Sequence, residues 1–191
     1  MGPTSEASRG LGCIPGVAEE PDPPFGELLR ACSSSAVHLE MRDSYDVGDP
    51  WFQAWCAGDH EEFQRRLAPR PWLDLIAEVT GRGVEVRRVR VVSEPVSDYI
   101  RFEHATTASN VAAGEQVRWL PRHLATGLLL PANDFWVFDG RQAQFNYFSG
   151  RGEFLETRLS PDPVIAARCA RAFEAAWERS VPHQEYDLAP A

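Results

Sequence analysis

The run PWLDLIAEVTGRGVEVRRVRVV, residues 71 to 92, leaves few folds open to this chain. Pro71 opens a pattern in which Trp72, Leu75, Ile76 and Val79 recur at i, i+3, i+4 and i+7, one face of an amphipathic helix. Gly81 and Gly83 stop it, since glycine takes the left-handed conformation of a helix end without a Cβ clash. VEVRRVRVV (84–92) then alternates β-branched residues as a strand does, and breaks at Ser93-Glu94-Pro95. From Pro95 to Ala113 the period is helical again, with Val96, Tyr99, Ile100 and Glu103 in register, and Gly114 ends it before the short strand QVRWL (116–120). Strand, helix, strand predicts a parallel pair joined by a right-handed crossover, and so an α/β fold.

The flanking text extends that fold. PFGELLRAC reads as a short helix, and AVHLEMR (36–42) alternates Val37, Leu39 and Met41 against His38, Glu40 and Arg42 as a half-buried strand. Asp49-Pro50 is a helix start, Asp as N-cap and Pro at the first position, leading through WFQAWCAG to a stop at Gly58. DFWVFDG reads as a strand turning at Asp139-Gly140, a strong hairpin signal, into RQAQFNYF (141–148); EFLETRL (153–159) is a third strand. Phe135 and Val137 share one face and Trp136 and Phe138 the other, so the 134–139 strand is central, with its aromatics in the core. Pro161-Asp162-Pro163 opens a last helix with a broad apolar stripe from Val164 to Trp177. The expected architecture is a disordered leader over 1–23, a single α/β domain over 24–186 with one mixed sheet flanked by helices, and a loose tail over 187–191. No internal repeat interrupts it.

Composition narrows the function. A net charge of -9 disfavours direct binding to nucleic acid or an anionic membrane, which need a cationic field. All 19 basic residues are arginine, as codon bias in a GC-rich genome produces, so lysine chemistry is excluded. Cys13, Cys32, Cys56 and Cys169 form no CxxC pair, which argues against a zinc site or disulfide framework. With no signal segment and no apolar run of bilayer length, the reading is a soluble cytoplasmic protein.

No catalytic set emerges. There is no GxSxG elbow and no HExxH, and the five histidines (His38, His60, His104, His123, His183) are scattered. Gly81-Arg82-Gly83 precedes a strand rather than following one, so it is not a dinucleotide site, and no cofactor is expected. The informative constellation is charged. Arg88 and Arg90 share a strand face with Val84, Val86 and Val92, and a guanidinium is costly to bury unless an acid meets it. Glu40, Asp98, Glu103, Asp134 and Asp139 are the candidate acids, and Arg118 on the next strand could join. One reading is a structural network that pins strand order. The other places Arg88, Arg90 and Arg118 at the carboxyl ends of parallel strands as a crevice for a small anionic metabolite, lined by Tyr99, Trp119, Asn146 and Tyr147.

The same stretches carry a resemblance. LEMRDSYDV, RGVEVRRVRVVSEPVSDYIRFE, VRWLPR, NDFWVFD, FNYFSGRGEF and AFEAAWERSVPHQEY, in that order, resemble a widespread actinobacterial family of unassigned activity. It is commonly encoded beside helix-turn-helix regulators or in specialised-metabolite clusters. The likeness runs from about Phe25 to Tyr186. More distantly, GVEVRRV (83–89), VRWLPR (117–122), NDFWVFDG and FEAAWERSVP (173–182) are similar to phospholipase-D-like domains appended to transcriptional regulators, with Ser180 where that family favours alanine. The resemblance implies one half of a phospholipase-D-like domain. Active members use H-x-K-x-x-x-x-D; this chain has FNYFSGRGEF there and no lysine, so the resemblance implies an inactive relative.

Three functions follow. The chain is a non-enzymatic module working with a helix-turn-helix regulator and sensing a small anionic metabolite, or an enzyme of specialised metabolism using the Arg/carboxylate crevice, or a structural partner docking through Trp51, Phe52 and Trp55. A homodimer is open to the first, since inactive half-domains can keep a pairing surface.

Overall fold

The computed structural model describes residues 23–66 and 70–188. The leader expected to be disordered thus falls, for residues 1–22, outside the described residues, as does the end of the expected loose tail, 189–191. Of that tail, Leu188 packs against the cluster formed by Trp119 and Tyr186.

Strands β1 (Ser35–Glu40), β2 (Glu85–Val92), β3 (Gln116–Pro121), β4 (Phe135–Phe138), β5 (Gln142–Phe148), β6 (Phe154–Ser160) and β7 (Val181–Pro182) form one sheet in the order β6-β5-β4-β1-β2-β3-β7. β1, β2 and β3 are parallel and every other pairing is antiparallel, so the sheet is mixed and β4 lies inside it. The helices are α1 (Phe25–Ala31), α2 (Pro50–Cys56), α3 (His60–Arg66), α4 (Pro71–Thr80), α5 (Asp98–Ala112) and α6 (Pro163–Arg179). Sequence reading found neither α3 nor the two-residue β7.

Local chemistry sets these boundaries. The Asp49 carboxylate accepts the Trp51 N–H at 2.8 Å and starts α2, and the Asp162 carboxylate accepts the Val164 N–H at 2.8 Å and starts α6. α5 begins three residues later than its period suggested because Ser97, not Pro95, supplies the cap, its hydroxyl accepting the Ile100 N–H at 3.2 Å. Gly114 ends α5 at φ +103°, where a Cβ would lie 2.5 Å from Thr80 Oγ1. That hydroxyl donates to Ile76 O and Ala113 O, tying the ends of α4 and α5 together. The β4–β5 hairpin turns through Asp139 at φ 48° and Gly140 at φ 67°.

The two faces differ in kind. On one, Leu39, Val89, Val91, Leu120, Phe135 and Val137 pack under Cys169, Phe173 and Ala176 of α6. On the other, Ala36, Val86, Trp136 and Phe138 pack under Leu29 of α1 and Ile76 and Val79 of α4, while Val92 and Trp119 pack under Ile100 of α5. Between these two apolar patches the same face carries His38 and Glu40 of β1 and Arg88 and Arg90 of β2, all buried. α2 packs on α5 rather than on the sheet. Phe52 is buried against Tyr99 and Phe102, with Trp51, Trp55 and Phe63 around them, so the aromatics read as an exposed docking anchor are largely packed.

Candidate functional site

The polar centre of that face is a chain of ion pairs. Arg88 and Arg90 follow each other at i and i+2, so both project to one side of β2, and register sets Glu40 of β1 directly beside Arg90. Glu40 pairs with Arg88, and its Oε2 lies 2.7 Å from Arg90 Nε. Arg88 Nε also donates to Glu115 Oε1 at 2.7 Å, and Arg90 also pairs with Glu103 of α5. Asn110 donates to the second oxygen of Glu115 at 2.8 Å. Arg88 and Arg90 are each 7% exposed, Glu40 8% and Glu115 1%, so the pairs work in a low-dielectric setting where unpaired charges would not survive.

Proton affinities follow. Burial opposes ionisation of Glu40, yet the Arg88 and Arg90 guanidiniums outweigh it and hold the carboxyl down to about 2. Burial likewise works against the charge on Arg88, but Glu115 and Glu40 keep it more firmly protonated than an ordinary arginine. Burial pushes Glu103 up against the pull of Arg90. His38, stacked on Trp136 at 4.2 Å, is pushed down by burial to about 3 and is a neutral imidazole at physiological pH.

Over this floor lies a cavity of about 430 Å³. Its walls are Phe25 of α1, Asp49 and Trp51 at the start of α2, Arg70 and Trp72 at the start of α4, Trp136 of β4, and Tyr99, Phe102, Glu103, Thr106 and Asn110 of α5; His38, Arg88 and Arg90 form its base. Arg70 stands apart from the other two arginines. Its guanidinium packs 4.5 Å over the Trp51 ring, and among the described residues no carboxylate pairs with it and its Nη1 has no hydrogen-bond acceptor.

Of the candidate site residues, Arg88, Arg90, Tyr99 and Glu103 come together at this cavity. The others do not. Arg118 is on the opposite face, because register pairs it with Val89, and its Nη1 donates to the Trp177 carbonyl at 3.1 Å while the guanidinium stacks on the Trp177 ring. Asp98 is exposed at the first turn of α5. Among the described residues Asp134 pairs with no arginine; it accepts the Met41 N–H at 2.9 Å and the Tyr45 hydroxyl at 2.5 Å. Burial raises its carboxyl to about 6 despite the Tyr45 bond. The backbone N–H of Asn146 donates to Asp134 O, away from the cavity. Asp139, also considered as a partner for arginine, instead accepts the N–H groups of Ser33, Ser34 and Ser35 at 2.8–2.9 Å. Trp119 stacks on Tyr186, and Tyr147 lies under Arg158.

The position of the cavity differs from expectation as well. The carboxyl ends of β1, β2 and β3 are closed by Arg122, which donates to Met41 O, Val91 O and the carboxylate of Asp43. Asp43 in turn accepts from Ser93 N–H at 2.7 Å. The space lies over the sheet face, under the helices. Arg70, Trp72, Trp136 and Glu115 were not among the site candidates read from sequence, and Trp51 was read only as a docking residue; the available signal was the density of tryptophan around the helix starts at Pro50 and Pro71.

Residues 23–187 match the family described as Domain of unknown function (DUF6879). The chain belongs to that family. No curated protein matches this DUF6879 chain. Among solved structures it is similar to Nuc, a phospholipase D family member from Salmonella typhimurium, at 10% identity and a TM-score of 0.49 over 82% of this chain and 86% of that one. It is similar to NucT from Helicobacter pylori at 10% identity and a TM-score of 0.48, over 82% and 87% of the two chains. TrmBL2, an archaeal chromatin protein, is similar at 12% identity and a TM-score of 0.47, with 81% of this chain spanning 47% of that one. In the DUF6879 chain the segment FNYFSGRGEF forms the end of β5, a turn and the start of β6, without histidine or lysine. Among the described residues no helix is long and apolar enough to cross a membrane, and no His/Cys/Asp/Glu group is placed to hold a metal ion.

Proposed function

We propose that this chain is a non-enzymatic, cytoplasmic accessory module that binds a small anionic ligand in the cavity over the Arg88/Arg90 floor and works with a helix-turn-helix regulator. The observation that carries the ligand reading is the contrast between the arginines. Arg88 and Arg90 are taken up by Glu40, Glu103 and Glu115, whereas Arg70 lines the cavity with an unanswered guanidinium among aromatic walls. A half-buried guanidinium with a buried, unbonded N–H and no carboxylate in ion-pair range among the described residues favours an anionic guest, and concave aromatic sites with few polar groups are the usual form of small-molecule pockets.

The non-enzymatic reading rests on the same chemistry. The carboxylates at the cavity base are committed to guanidiniums, and His38, held at about 3, is too weak a base to take a proton efficiently near neutral pH. The regulator partner is supported by the family resemblance and by the net charge of -9, which makes a protein partner the route to DNA. Pull-down of the tagged protein from its native cytoplasm, with eluates split between proteomics and small-molecule mass spectrometry, tests both halves. A stoichiometric helix-turn-helix protein and a co-purifying anion lost on Arg70→Gln are the expected results. A gel shift by the isolated chain, or turnover of the co-purifying molecule, overturns the reading.

A further inference from the structure

Four cavity-lining side chains have buried polar atoms without a hydrogen-bond partner among the described residues: Nη1 of Arg70, Nε1 of Trp51, both ring nitrogens of His38 and Nε of Arg90; of these, His38 Nδ1 and Arg90 Nε still lie 3.4 Å and 2.7 Å from the Glu40 carboxylate. Native proteins leave few such groups, and each calls for a partner. The Arg70 guanidinium and the Trp51 indole N–H are donors only, and among the described residues neither has a carboxylate beside it. They are neighbours, because the Arg70 guanidinium stacks on the Trp51 ring at 4.5 Å. A carboxylate carries two acceptor oxygens and answers both at once.

Charge balance selects among anions. Arg88 and Arg90 face Glu40, Glu103 and Glu115, so the floor carries at least as many carboxylates as guanidiniums. Three carboxylates against two guanidiniums leave the floor one negative charge in excess, and Asp49 on the wall adds another, so Arg70 receives a guest through its open N–H and not through surplus charge. A monoanion therefore meets the least repulsion, while a phosphate dianion would bring a second negative charge next to Glu40, Glu103 and Glu115.

The walls select the body. Phe25 lies edge-on to Trp136 with centroids 5.0 Å apart, and Trp72 meets Trp136 at 6.0 Å and 66°. Trp136 is 4% exposed with His38 stacked on its ring, so the aromatic surface left for a guest comes mainly from the half-buried Phe25 and Trp72, which a flat π-system meets by stacking and edge contacts. An aliphatic chain gains burial alone. His38, neutral and 6% exposed against Trp136, has Nδ1 3.4 Å from Glu40 Oε1, which leaves Nε2 as its one ring nitrogen without a neighbouring carboxylate.

We infer that the cavity takes a planar aromatic monocarboxylate, its carboxylate held by Arg70 Nη1 and Trp51 Nε1 and its ring among Phe25, Trp72 and Trp136. The inference rests on the reading of this cavity as an anion site. Isothermal titration of the full chain with four probes separates the two: 2-naphthoate, the uncharged 2-naphthamide, cyclohexanecarboxylate and inorganic phosphate. The expected result is saturable one-to-one binding of 2-naphthoate, with the amide and the saturated acid each weaker by about tenfold or more and no binding of phosphate. Arg70→Gln removes the preference for 2-naphthoate over the amide, and Arg70→Lys restores part of it. These comparisons on the unaltered protein stand whether or not a variant folds. If the saturated acid or phosphate binds as tightly as 2-naphthoate, the aromatic class falls and the anion site remains. If the amide binds as tightly as the acid, or no probe binds, both fall.

Discussion

Replacing Glu40 by glutamine probes the buried floor at its hub. Glu40 is 8% exposed and stands between Arg88 and Arg90, so the amide leaves both guanidiniums short of one anion at almost unchanged volume. Breaking a buried ion pair costs about 3–5 kcal/mol. Each arginine here keeps a second carboxylate, Glu115 for Arg88 and Glu103 for Arg90, which places the loss at the lower end, about 3 kcal/mol. For a chain of this length that is a fall in Tm of about 6–12 °C. The pH dependence has a fixed sign. Burial opposes the charge, but the two arginines bring the folded-state value to about 2, below the ordinary 4.5. The contribution is therefore present above the unfolded value and is lost as pH falls from 4.5 towards about 2. Urea denaturation of both proteins, followed by tryptophan fluorescence at neutral pH and in steps towards acid, measures the gap. A neutral-pH cost below about 1 kcal/mol, or a gap that does not narrow in acid, refutes the reasoning.

Glu103 follows the opposite trend. Burial raises its carboxyl despite Arg90, so its contribution is fullest below the unfolded value and is lost as pH rises through the folded value; Glu103→Gln costs only about 1 kcal/mol at neutral pH and more in acid, by the same denaturation assay. The slight burial of Asp139 works against its charge, but the Ser35 and Ser33 N–H groups outweigh it and hold the carboxyl well below the usual range. Asp139→Asn is expected to lose about 2 kcal/mol at neutral pH, measured by the urea midpoint, and a loss confined to a few tenths would count against the weight given to its bonds from Ser33, Ser34 and Ser35. Tyr45→Phe removes a donor that lowers Asp134, so carboxyl NMR titration should find Asp134 above its present value of about 6; a downward move contradicts the geometry.

Much of the architecture was legible because its determinants are local. The spacing of Trp72, Leu75, Ile76 and Val79 specified α4, Asp49 and Asp162 specified the starts of α2 and α6, and Asp139-Gly140 specified the hairpin. The demand for buried acids was also legible. Two arginines on an otherwise apolar strand face require counterions wherever the chain places them, and Glu40 and Glu103 were among the candidates. Glu115 escaped notice because it sits between α5 and β3, where no period marks a face, yet it is among the most buried charges of the chain.

The sequence by itself determined the element types, the β-α-β core and the presence of a charged network inside it, since alternation, caps and the cost of burying guanidinium act at short range. Tertiary structure decided which residues meet. A one-residue step in strand register pairs Arg118 with Val89 and sends it to the α6 side, while Arg90 stays level with Trp119 over the cavity base. Closure of the strand ends by Arg122 and Asp43 moves the cavity onto the sheet face. The packing of α2 on α5 carries Trp51 to the cavity, and the start of α4 brings Arg70 over the Trp51 ring, although neither lies near Arg88 in sequence. Contacts between segments this far apart depend on how the helices pack across the sheet, which no local period records.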